Sequence, residues 1–168
     1  MTETVNPAPI AIRSAVAADA DGITRVYMES AEHHASLDSE RYWIPDAEAI
    51  SARYSEGRQH PENGDAAITL VAELGGDIVG FVDVRLDRSP DPMHRDILYC
   101  HVIEIAVSRE RQSQRIGERL LQAAEEWGRQ QGAEFAMLEY NAANTRAGSF
   151  YQQRMSYRSA GHIMVKRL

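Results

Sequence analysis

Val102–Gln122, VIEIAVSRERQSQRIGERLLQ, is the stretch on which the fold turns. Val102–Val107 is a short apolar strand, and a polar loop follows it. From Ile116 the apolar residues fall at Ile116, Leu120, Leu121, Ala124 and Trp127, one face of an amphipathic helix. The loop therefore opens directly onto a helix N-terminus. Its unpaired backbone N–H groups and the positive end of the macrodipole suit an anion. Gln112, Arg115 and Gly117 lie in the loop, with Arg109 and Arg111 just before them. This combination fits the phosphate of a cofactor.

Working outward, residues 1–9 look like a loose tail and residues 10–168 like one domain. Ile10–Val16 reads as a first strand and Ala17–His34 as a helix, with Ile23, Val26, Tyr27 and Ser30 at helical spacing. A loop over Leu37–Pro45 precedes a second helix expected over Asp46–Gly57. Residues 60–65, HPENGD, are turn-rich. Ala66–Leu74 and Asp77–Leu86 form a hairpin across Gly75-Gly76, and Asp87–Asp96 is a proline-containing loop. Gly132 stands where the helix begun at Ile116 should end. Beyond it lie a strand over Phe135–Tyr140, a short helix over Thr145–Gln153, and one or two closing strands over Tyr157–Leu168. The fold class is α/β (α+β), a single mixed sheet flanked by helices.

Composition narrows the function classes. A formal charge of −7 argues against nucleic acid as the partner and mildly favours a cationic substrate. No apolar run approaches the roughly 20 residues of a membrane span, so no membrane partner is expected. No secretory pattern opens the chain, and Cys100 is the sole cysteine, which excludes an intrachain disulfide. Both features fit the cytoplasm. The histidines show no metal-ligand spacing, and no metal is expected.

Two motifs give the chain a resemblance to the GNAT superfamily of N-acetyltransferases, which move an acetyl group from acetyl-CoA to an amine. One is the strand–loop–helix signature, valine and then Arg/Gln-x-x-Gly-x-Gly/Ala, met by Val107 and by Gln112-Ser-Gln-Arg115-Ile-Gly117. The other is Asn-x-x-Ala-x-x-(apolar)-Tyr, met by Asn144, Ala147, Phe150 and Tyr151. The strong match covers residues 98–157. The chain departs from the pattern twice. Arg115 replaces the first loop glycine, and Met155-Ser156-Tyr157 replaces a Gly-aromatic pair after the tyrosine.

The resemblance implies a mostly antiparallel sheet with a splayed central strand pair and acetyl-CoA as acetyl donor. Strand 102–107 should part from strand 135–140, with the pantetheine arm in the opening. The cofactor would lie against Ile105, Ala106, Val107, Gln112, Ser113, Gln114, Arg115, Ile116, Gly117, Asn144, Ala147 and Tyr151. Tyr151 would be the general acid. The general base is open between Glu104 and His101. Strand alternation sets Glu104 with Val102 and Ala106, opposite Ile103, Ile105 and Val107, and a carboxylate in an apolar strand is costly unless it faces a cleft or a partner. His33, His34, Tyr42 and Trp43 lie where the family shapes its acceptor pocket, and Glu104 would attract a cationic amine. The acceptor is a small-molecule or peptide amine, and homodimerisation is common in the family. The expected activity is direct acetyl transfer in a ternary complex. The alternative is a catalytically silent acyl-CoA-binding sensor.

Overall fold

The computed structural model describes residues 9–56, 66–89 and 91–167. The expectations for residues 1–8, for the turn at 60–65, and at Gly57, Pro90 and Leu168 lie outside these. Among the described residues five strands form one sheet in the order β1-β2-β3-β4-β5: β1 Ala11–Ser14, β2 Ala67–Leu74, β3 Asp77–Arg88, β4 Leu98–Val107 and β5 Phe135–Leu138. The first four pair antiparallel, and β4 pairs β5 in parallel. The α-helices among the described residues are α1 (Ala20–Leu37), α2 (Ala47–Ser55), α3 (Ile116–Gln130) and α4 (Thr145–Ser149). The chain has the mixed, mostly antiparallel α/β architecture expected of it.

Local chemistry sets the boundaries. The carboxylate of Asp19 accepts two Arg13 N–H groups at 2.7 and 2.8 Å and the Val16 N–H at 2.8 Å. That fixes a 3-10 turn, Ala17–Asp19, as the lead into α1. Asp46 caps α2 by accepting the Ala49 N–H at 2.9 Å. Gly75 and Gly76 take φ of +61° and +94°, the left-handed pair that a tight hairpin twisting with its strands demands. At the end of α3, Gly132 is left-handed and the Ala133 N–H returns to the Gly128 carbonyl at 2.9 Å.

Two apolar layers sandwich the sheet. On one face Ile23 and Val26 of α1 and Ile50 and Tyr54 of α2 cover Val71, Phe81 and Ala106. On the other, Ile116, Leu120, Leu121 and Ala124 of α3 cover Val82, Val84, Cys100 and Val102. A Cβ on Gly128 would come within 2.4 Å of the Cys100 Cβ, so a glycine is needed for α3 to sit this close. The Cys100 thiol donates to the Ala124 carbonyl at 3.4 Å, and burial pushes its pKa up to about 11. It is a packing group.

Two expectations are corrected. Strict alternation fails in β4, where Asp83 pairs Glu104 but Val84 pairs Val102, which leaves Ile103 as an extra, bulged residue. The bulge turns Glu104 and Ala106 toward α1, whereas Val102 packs under α3. The closing strands expected over Tyr157–Leu168 do not form among the described residues either. Residues 157–167 carry no regular structure, because they find no strand to pair with.

Candidate active site

Pairing between β4 and β5 ends at Val102 and Leu138. Beyond it β4 continues to Val107, while the chain after β5 leads away into α4. The diverging ends open a cleft of about 690 Å³ between the strands, the N-terminus of α3 and the helix around Tyr151.

The end nearer α3 is cationic. Ser113 and Arg115 are left-handed, with φ of +68° and +62°, and such backbone gathers successive N–H groups into an anion-binding concavity. Arg115 is the N-cap of α3, and its side chain extends outward to Glu118 at 3.1 Å. The φ explains why a glycine suits this position and how an arginine still serves it. Gly117 has room for a Cβ, the nearest atoms of Phe150 and Val107 lying 3.7 Å away. Arg146 on α4 reaches across to Gln112 Oε1 at 2.6 Å and Ser113 Oγ at 3.3 Å. It joins the two sequence motifs, yet nothing in its own spacing marked it. Arg109 is engaged elsewhere, its backbone N–H donating to Glu29 at 2.7 Å and its guanidinium to Glu32 at 2.6 Å.

The opposite wall holds the ionisable groups. Glu104 accepts from Ser30 Oγ of α1 at 3.3 Å, a partner the sequence reading lacked. Burial raises its pKa, and the charge of Asp83 across the ladder adds to that. Asp83, fully buried, accepts the Tyr54 hydroxyl at 2.7 Å and the Thr69 hydroxyl at 2.6 Å. Tyr151 lies in one turn of π-helix, Phe150–Arg154, among the rings of Tyr140, Phe150 and Tyr157. Burial, followed by the Glu104 charge, pushes its pKa up to about 12. Asn144 caps α4, its side chain accepting the Ala147 N–H at 3.1 Å.

Of the residues singled out from sequence, the cleft gathers Glu104, Tyr151, His33, His34, Asn144 and Ala147. It also gathers Ile105, Ala106 and Val107 from β4 and Gln112, Ser113, Arg115, Ile116 and Gly117 from the loop and α3. Gln114 is not on its wall. Neither is His101, which lies in the paired part of β4 and β5 opposite Met137, with its Nδ1 3.2 Å from Asp87. Tyr42 lies against His34 with the rings tilted and 5.3 Å between centroids, outside the wall, and Trp43 is 84% exposed. Among the described residues no three His, Cys, Asp or Glu side chains converge as a metal site requires. No helix among them is long and apolar enough to cross a membrane.

The sequence profile of the acetyltransferase (GNAT) family matches residues 33–157, which span the loop, both motifs and every wall of the cleft except Glu29 and Ser30. The chain belongs to the GNAT acetyltransferase family. Solved structures share the fold. A mutant of the BH1408 protein from Bacillus halodurans superposes with a TM-score of 0.83 at 19% identity, over 94% of this chain and 99% of that one. The aminoglycoside N-acetyltransferase AAC(6')-Iy, bound to a bisubstrate analogue of CoA and acetylneamine, gives 0.71 at 16% identity over 96% and 99%. Glucosamine-6-phosphate N-acetyltransferase from Arabidopsis thaliana gives 0.65 at 14% over 95% and 98%. A search of curated proteins by sequence returned no match. As a GNAT domain the chain combines a cationic loop, parted strands and a carboxylate–phenol wall in one cleft.

Proposed function

We propose that this GNAT member transfers an acetyl group from acetyl-CoA to a primary amine of a small molecule or peptide, directly, in a ternary complex. One observation carries the proposal: the parted β4–β5 edge leads from a cationic, N–H-rich loop to a wall holding Glu104 and Tyr151. The fit to CoA is chemical. Backbone donors of the 112–117 loop, with Arg146 behind them, suit a diphosphate. The free edge of Ile105–Val107 offers peptide groups to an amide-bearing arm. Acetyl-CoA, when bound, supplies an activated thioester.

The chain's own groups do the rest. Glu104 attracts a cationic amine and accepts its proton at a carboxylate oxygen, and its raised pKa brings it closer to a base's best range near neutrality. Tyr151, protonated at neutral pH, holds a proton at its phenol oxygen for the leaving sulfur. Ser30 orients the Glu104 carboxylate. His33 and His34 stand on the acceptor side.

Free-thiol release measured against a panel of amines tests this. Amine-dependent release supports transfer. Acetyl-CoA binding with no release from any amine, and no effect of Tyr151→Phe, supports the silent sensor instead.

A further inference from the structure

Asp83 and Glu104 stand opposite each other in the β3–β4 ladder. Side chains directly opposite in an antiparallel pair share a face, and like charges there repel. The hydrogen bonds agree with a shared face: Glu104 meets Ser30 of α1, and Asp83 meets Tyr54 of α2. The bulge creates this pairing. Counted on from Val84 opposite Val102, an unbroken ladder would set the apolar Ile103 against Asp83. One extra residue sets a carboxylate there instead, and re-aiming a side chain beside an active site is what such bulges do.

Asp83 is built to carry a charge. It is fully buried, and each oxygen receives a hydroxyl, Oδ1 that of Thr69 at 2.6 Å and Oδ2 that of Tyr54 at 2.7 Å. These lengths belong to charge-assisted O–H···O⁻ bonds. Tyr54 is itself held, its ring 5.8 Å from that of Phe81 and 5.7 Å from the Arg53 guanidinium. The ionisable groups that bear on Glu104 are Asp83 from β3, His34 from α1, Arg53 from α2 and Tyr151 from the π-helical turn. The anion among them is Asp83.

We propose that Asp83 is a positioning residue for proton removal: its buried charge, held by Tyr54 and Thr69 and brought opposite Glu104 by the bulge, strengthens Glu104 as acceptor of the amine's proton. An ammonium N–H bond breaks, its electron pair stays on nitrogen, and the proton goes to a Glu104 carboxylate oxygen. With a fixed negative charge behind it, that oxygen holds the proton more firmly. The role rests on the reading of Glu104 as the base.

Carbon-detected NMR of the Glu104 carboxyl against pH gives its titration midpoint directly, without turnover. Asp83→Asn keeps the shape and removes the charge. The Glu104 midpoint is expected to fall by about one pH unit or more. The acid limb of kcat/KM should fall by the same step, with the Kd of acetyl-CoA unchanged. Tyr54→Phe keeps the ring and removes one hydroxyl from Asp83. It is expected to lower the midpoint by a smaller step, and it decides the matter where Asp83→Asn does not fold. Histidines change charge between about pH 5 and 8, so the His34 ring is followed in the same titration. A Glu104 midpoint that stays or rises in the folded variants overturns the proposal and leaves the base reading intact. A midpoint that falls while the rate limb stays in place overturns Glu104 as the base, and the catalytic role of Asp83 with it.

Discussion

A phenol whose pKa is raised to about 12 keeps its proton across the physiological range, and at Tyr151 burial among aromatic rings produces that shift. Tyr151→Phe keeps the ring and its packing and removes only the hydroxyl. Turnover should fall about 100-fold or more, within the usual span of general acid catalysis. Calorimetry should show acetyl-CoA affinity unchanged. Glu104 separates catalysis from stability. Its folded pKa is raised by burial and by Asp83, while Ser30, His34 of α1 and Arg53 of α2 oppose the rise. Stability tied to a raised carboxylate is full below the unfolded value of about 4.3 and is lost as pH climbs through the folded one. Glu104→Gln should therefore melt higher than the parent at pH near 7, and the two should converge below about pH 4. Its turnover should be low, while the parent's should rise with pH as Glu104 ionises. Melting curves and pH–rate profiles check both.

At the level of elements, much was legible. The 3.6-residue stripe fixed α3, the paired glycines fixed the β2–β3 hairpin, and Gly132 marked a helix end. Those signals are local, set by each residue's own backbone. The bulge at Ile103 was not legible, because it arises from the β3 register and its cost is shared across two strands. It also separates Glu104 from Val102. Arg146 and Ser30 were likewise hidden, since their partners lie 34 and 74 residues away. Two element-level outcomes are expected. Arg115 sits at φ +62°, where a non-glycine residue costs about 1–2 kcal/mol. Arg115→Val, β-branched, should destabilise by more than about 1 kcal/mol, whereas Arg115→Gly should stay within about that of the parent by denaturant titration. At the β1–α1 junction, hydrogen bonds from Arg13 hold the Asp19 carboxyl below its usual range. That contribution is present above the unfolded pKa of about 3.9 and fades as pH falls through the folded value. Asp19→Asn should cost about 1–3 kcal/mol at pH 7, with the gap closing in acid.

For the whole molecule, the sheet's order is what builds the site. Antiparallel β1–β4 supply a rigid wall packed on both faces, and one parallel partner, β5, can diverge because its crossover passes through α3. Among the described residues β5 is the last strand of the sheet, and the segment 157–167 that the sequence pattern marks as strand pairs with none of the five.

Calorimetric titration of the purified protein with acetyl-CoA is the most direct measurement. Saturable micromolar binding is expected, retained in Tyr151→Phe and weakened at least tenfold when Arg146→Ala removes the bridge to Gln112 and Ser113. No saturable heat with acetyl-CoA would contradict the assignment of this cleft to the cofactor.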